Sequence, residues 1–262
     1  GFMIPVPDAL NDSTDYTFMA DVYYAAGSNG TDRGLGDLSA DYAGAELGIG
    51  SNNAVVAGGS SGSIIPDTWH RVVIVVDGSN GVISRYVDGA LTGSSPIAAA
   101  ELPFGRYTLS SQLDIIGFAF TSEGYANSVS LREGAISHGH AVALGKASAD
   151  GLPAQLPEVP SYVASWVPAG NVADRGTDIG AILDAGDAVI DQASIQLSLD
   201  GNAQNAQISK SGSQFTISVD RSLPFAPGTK HTLVLSYSDD KNGAQSYEHV
   251  FDAAIYFEDF ES

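Results

Sequence analysis

The chain has 262 residues, enough for one large β-domain or two ordinary ones, and its 44% hydrophobic content can fill a real core. Its 11 Lys and Arg stand against 31 Asp and Glu, a formal net charge of -20, which makes nucleic acid and anionic membranes poor partners. With no cysteine, disulfides, zinc–thiolate sites and thiol nucleophiles are excluded, and no apolar run approaches the roughly 20 residues of a membrane span.

Gly, Ser and Asn punctuate the chain at short intervals, and the segments between them alternate apolar and polar residues. That is the pattern of an all-β sandwich or barrel. Strands are predicted over residues 16–24, 45–49 and 53–57. In residues 70–76, HRVVIVV, the apolar run is nearly continuous, as in a central strand covered on both faces. Residues 81–89 alternate, with Val82, Ser84, Tyr86 and Asp88 on one face and Ile83, Arg85 and Val87 on the other. Further strands are predicted over 106–111, 113–121 and 127–136, and a short helix over 136–145. Residues 148–160 hold prolines and little periodicity, and read as a stiffened linker. A second β-domain follows, with strands over 161–168, 178–184, 194–200, 206–211, 214–220, 231–239 and 246–256. Trp166 is its expected core anchor. The abrupt ends, GFMIPVP and YFEDFES, read as those of a piece of a longer, exported chain.

The stretch TWHRVVIVVDGSNGVISRYVDGAL carries a resemblance. Trp69, His70, Asp77, Gly78, Tyr86, Val87, Asp88 and Gly89 are similar to the paired strands of the laminin-G-like, concanavalin A-like jelly-roll family. FMIPVPDALNDSTDYTFMADVYY resembles its early strand pair, and GYANSVSLREGAISHGHAVALG its closing strand and end helix. His138-Gly139-His140 stands where that helix usually starts with an acidic residue. The resemblance implies a jelly-roll sandwich over 1–147, its first strand truncated. DQASIQLSLDG and PFAPGTKHTLVLSYSDDKNG are similar to bacterial Ig-like modules, implying a smaller Ig-like β-sandwich over 161–257 and a following segment from 258. Such pairs accompany secreted hydrolases, including phosphoesterases and polysaccharide-degrading enzymes. The fold itself hosts lectins, enzymes and plain adhesion domains, so it does not fix a function.

Catalytic patterns are not readable. The paired carboxylates of jelly-roll glycosidases are missing, since Glu258, Asp259 and Glu261 have the wrong spacing. No nucleophile elbow, metallophosphoesterase signature or His-Glu-x-x-His is found. His138 and His140 would share one side of a strand but diverge on a short helix, and His231 and His249 read as sheet residues. Trp69 reads as packing at a sheet edge, and His70 and Asp88 as structural more than ligand-binding. Calcium is the ion that acidic loops suit best, with Asp12, Asp15, Asp32, Asp37 and Asp41 as candidate ligands. Glycan binding needs exposed aromatics beside polar groups. Tyr42, Arg106, Tyr125 and Asn127 are the candidates, and one of Tyr23 and Tyr24 must face outward.

The favoured reading is a non-catalytic recognition fragment of an exported bacterial multidomain protein. Its expected partners are a polysaccharide or cell-surface glycan, with Ca²⁺ as a candidate cofactor, and the neighbouring domains of its own chain. The alternatives are a structural or adhesive surface unit with protein partners, and a secreted hydrolase whose catalytic domain lies elsewhere.

Overall fold

The computed structural model describes residues 13–26, 33–36, 47–49, 55–56, 62–97 and 124–255. The chain divides into two compact units, Gly1–Pro157 and Glu158–Ser262, and both are built from β-sheets as the sequence pattern predicts.

The first unit contains β1 (Asp15–Tyr24), β2 (Arg33–Gly36), β3 (Leu47–Ile49), β4 (Val55–Val56), β5 (Trp69–Asp77), β6 (Val82–Val87), β7 (Ala90–Pro96), β8 (Gly124–Glu133) and α1 (His138–Ala143). Five strands form an antiparallel sheet in the order β7-β6-β5-β1-β8, and β2, β3 and β4 form a second, smaller one. The near-continuous apolar run at 70–76 is central strand β5, buried from His70 to Val76 on both of its faces. Register decides which residues share a face: Met19 lies opposite Val73, and Val73 opposite Tyr86. On that face Met19, Val73, Val75 and Tyr86 pack with Ile136, Ala141 and Leu144, so α1 and its approaches form the cover.

Helix α1 starts at Ser137, whose hydroxyl accepts the His140 N–H at 3.2 Å and so caps the first turn. Trp69 is not at a sheet edge as expected; it begins the central strand and is 40% exposed. Strands β2 and β7 were not expected. β2 falls in a stretch read as an acidic loop, and β7, ALTGSSP, lacks apolar alternation.

The second unit holds β9 (Tyr162–Val167), β10 (Val172–Ala173), β11 (Ile179–Asp184), β12 (Gln196–Leu199), β13 (Asn202–Ala203), β14 (Gln207–Ser211), β15 (Gln214–Val219), β16 (Lys230–Asp239) and β17 (Gly243–Ala253). Its two sheets run β10-β17-β16-β12-β13 and β14-β15-β11-β9. Alternate side chains of both sheets meet in one core. Ile179, Ala181, Leu183, Phe215 and Ile217 come from one sheet, and Leu197, Leu233, Leu235, Tyr237 and Phe251 from the other. Trp166 is half-buried against this core and stacks on His249 at 5.4 Å. All seven strands read from the sequence are present, joined by the two-residue strands β10 and β13.

The predicted linker is packed chain at both ends. Leu152 and Leu156 lie against the first unit's core, and the Val159 N–H donates to Asp187 in the second unit at 2.8 Å.

Candidate functional site

Three aromatic side chains line up across β5, β1 and β8. Tyr23 lies directly opposite Trp69 on one side and Tyr125 on the other, so antiparallel register places all three on one face. Ring centroids are 5.6 Å apart for Tyr23–Trp69 and 5.8 Å for Tyr23–Tyr125, with interplanar angles of 51° and 64°. The face is the one that α1 covers further along. Among the described residues α1 and its approaches pack on Met19, Val73, Val75 and Tyr86 rather than on this row, and Tyr125 is 55% exposed. Asn127, one pleat along β8 and opposite Asp21, is exposed on the same face. Tyr24, pointing to the other face, is buried.

A buried ion pair lies between this row and the core. Arg71 Nε and Nη2 donate to the two carboxylate oxygens of Asp21 at 2.8 and 2.9 Å. Nη1 reaches the Leu144 carbonyl at 2.7 Å and Nη2 the Gly151 carbonyl at 2.9 Å. One guanidinium thus ties β1, β5, the end of α1 and the segment behind it. Alternation alone had suggested nothing for either residue.

The turn before β5 borders the row. Asp67, at φ +57°, donates its N–H to the Tyr24 carbonyl at 2.8 Å. Its Oδ1 accepts the Tyr23 hydroxyl at 3.2 Å and the Ala26 N–H at 2.9 Å. The sequence signal for this border was Pro66-Asp67-Thr68 ahead of a strand-opening Trp; its meaning depends on β1, which is distant in the chain.

The remaining histidines make structural contacts. His70 Nδ1 meets Asp88 Oδ2 at 2.7 Å, while Asp88 Oδ1 accepts the Arg71 N–H at 2.9 Å. Burial pulls the imidazole pKa down, but its bonds to Asp88 and the Ile65 carbonyl outweigh this and raise it. Burial likewise acts against ionisation of Asp88, yet His70 and the Arg71 N–H hold its carboxyl below the ordinary value.

The second unit repeats this clasp. His231 Nδ1 meets Asp200 Oδ2 at 2.7 Å, and Asp200 Oδ1 accepts the Thr232 N–H at 2.9 Å. In both clasps an Asp-Gly pair turns with positive φ, at 53° and 79° in Asp88-Gly89 and 51° and 79° in Asp200-Gly201.

Thr229, His231 and Asp200 form a hydroxyl–imidazole–carboxylate series, with Thr229 Oγ1 2.6 Å from His231 Nε2. The Thr229 hydroxyl also lies 2.7 Å from the Ala226 carbonyl, which competes with the imidazole for its single proton. Buried Ser161 is bonded to Asp239 and Tyr237 rather than to an imidazole. His138 meets the Tyr86 hydroxyl at 3.1 Å and His140 the Ser137 hydroxyl at 2.8 Å, so the two rings have separate partners on the helix.

Among the described residues no group of three or more His, Cys, Asp or Glu is placed to hold a metal ion. Asp15 fixes the β5–β6 turn. Its oxygens accept the Ser79 N–H at 3.0 Å and hydroxyl at 2.7 Å, and those bonds lower its pKa. Asp12, Asp32, Asp37, Asp41, Tyr42 and Arg106 lie outside the described residues, as do the strands expected at 106–111 and 113–121. Tyr125 and Asn127 sit together beside Tyr23. Trp69 was missed as a surface residue because its exposure depends on which part of the face the helix packs on. Among the described residues no helix is long and apolar enough to cross a membrane.

No family model and no curated protein matches the chain. Among solved structures, it is similar to the leech intramolecular trans-sialidase complexed with 2,7-anhydro-Neu5Ac, at 10% identity and a TM-score of 0.31. The match covers 88% of this chain and 42% of that one, so the chain spans less than half of that protein's length.

Proposed function

We propose that this chain is a non-catalytic glycan-recognition piece of an exported multidomain protein. The first unit makes the contact, and the second acts as a spacer toward neighbouring domains. The observation that carries this reading is the row Trp69–Tyr23–Tyr125 with Asn127 beside it. Sugar rings present faces of C–H bonds that pack on aromatic rings, and rims of hydroxyls that bond to amides and carboxylates. An aromatic row exposed at Trp69 and Tyr125, with half-buried Tyr23 between them and polar neighbours beside it, provides both. A structural role alone would be served by burying the rings, as happens to Tyr16 and Tyr24 on the same strand.

The test is a glycan array and insoluble-polysaccharide pull-down with the whole chain, with calcium and again with EDTA. Trp69→Ala and Tyr125→Ala are expected to lose roughly tenfold or more in affinity each while their urea midpoints stay near wild type. Retention of no glycan, or undiminished binding by both variants, would refute the assignment. Loss of binding in EDTA would add a calcium requirement and direct attention to the acidic stretches at 11–15 and 31–41.

A further inference from the structure

Resting on the glycan reading above, we propose that the Trp69–Tyr23–Tyr125 row selects neutral, hydroxyl-rich glycan chains over acidic ones, with Asp67 as the selecting group. Asp67 is exposed, yet it is held in place: its backbone N–H is bonded to Tyr24, and its Oδ1 to the Tyr23 hydroxyl and the Ala26 N–H. Both described hydrogen bonds to this carboxylate fall on Oδ1, and among the described residues none donates to Oδ2. A fixed carboxylate oxygen beside an aromatic row accepts hydrogen bonds from sugar hydroxyls. The same oxygen repels the carboxylate of a uronic or sialic acid and the sulfate of a sulfated sugar.

Of the four first-unit cations with described side chains, two are buried and bonded on the protein itself, and two are exposed at positions outside the strand ends that carry the row. Arg71 is buried and bonded to Asp21, Leu144 and Gly151. Arg85 is buried and bonded to Ser95, on the opposite face of the sheet. Arg132 sits opposite Thr17, at the other end of β8 from Tyr125. Lys146 is exposed just past α1, where its charge acts on the His70–Asp88 pair. The net charge of -20 adds a long-range repulsion of the same sign.

Ring geometry narrows the class further. Successive rings are tilted by 51° and 64°, so they cannot all lie against one flat sugar surface. A soluble, twisted single chain can turn its successive faces to such a row, whereas the planar face of a crystalline fibril cannot.

The experiment follows Trp69 emission of the full chain carrying Trp166→Phe. The titrants are cellohexaose, xylohexaose and mannohexaose on one side, and hexagalacturonate, hexamannuronate and 3'-sialyllactose on the other. At least one neutral chain is expected to bind roughly tenfold or more tightly than every acidic one. The gap is expected to shrink with added salt, because only the charge repulsion is screened. Asp67→Asn keeps an oxygen for Tyr23 and Ala26 but removes the charge. It should weaken the neutral ligand roughly tenfold and narrow the gap. An acidic chain binding as tightly as the best neutral one, or an unchanged neutral-to-acidic ratio in Asp67→Asn, would overturn the selectivity and leave glycan recognition standing. Absence of any response to both sets would overturn the glycan reading and this one together.

Discussion

Replacing Arg71 with methionine is expected to bring the first unit close to unfolding. The wild-type guanidinium makes four hydrogen bonds, two of them to Asp21, whose side chain is 1% exposed. Methionine fills most of the same volume, so the cost is electrostatic rather than a cavity. An uncompensated buried carboxylate costs about 3–5 kcal/mol. The Leu144 and Gly151 carbonyls each lose a donor worth about 1 kcal/mol. The total, about 5–7 kcal/mol, rivals the roughly 5–15 kcal/mol that holds an ordinary domain together. The molecule supplies its own reporters, since the chain has two tryptophans, Trp69 in the first unit and Trp166 in the second. Urea unfolding followed by fluorescence with Trp166→Phe reads the first unit alone, and with Trp69→Phe the second. Arg71→Met should shift only the first. The double variant Asp21→Leu/Arg71→Met, which leaves no charge buried, should recover most of the loss. A loss below about 1 kcal/mol in Arg71→Met, or a double variant no better than the single one, would show that the pair is solvated and the reasoning wrong.

Gly89→Ala should destabilise the first unit by about 2–4 kcal/mol, combining positive φ with overpacking. A Cβ there would sit 2.7 Å from the Val142 carbonyl oxygen. Gly81→Ala, also at positive φ but with nothing within 4 Å, should lose only about 1 kcal/mol, and equal losses would discount the helix contact. First-unit stability should also vary with pH. The raised folded-state pKa of His70 gives a contribution fully present below 6.5 and lost as pH rises through the folded value. The lowered pKa of Asp88 gives one present above 3.8 and lost as pH falls through the folded value. Lys146, which opposes protonation of His70, is the other charge acting on the pair. Urea midpoints measured from acid to neutral pH should therefore fall above pH 6.5, and His70→Asn, which cannot titrate, should flatten that fall; a parallel slope would assign it to other groups.

The sheets were legible wherever residue alternation is local information. Each second-unit strand expected from periodicity is present, because its inward residues share a single core. The strands β10 and β13 escaped because two residues cannot display a period, and β7 because Gly, Ser and Pro carry no apolar signal. Asp21 and Arg71 read as ordinary polar residues between apolar ones, and only the pairing of β1 with β5 makes them a buried pair. The aromatic row was half visible. Tyr125, Asn127 and an outward-facing member of Tyr23 and Tyr24 could be named, but their alignment with Trp69 is set by two inter-strand registers.

The paired His–Asp clasps show that this local structure does not depend on how the chain is threaded. In the first unit the histidine comes before its Asp-Gly turn, and in the second it comes after, yet the atoms and bonds are the same. What the two share is a register rule. Val87, just before Asp88, pairs with Val72, two residues past His70; Leu199, just before Asp200, pairs with Leu233, two residues past His231. The motif is therefore written across two strands rather than along one. A linear pattern fixing the order of His and Asp-Gly would detect one unit and overlook the other, while a rule on cross-strand neighbours finds both. The same rule can be transplanted: wherever an antiparallel strand runs into an Asp-Gly turn, a histidine at that offset on the adjoining strand should lock the hairpin's mouth, whatever loop connects the two.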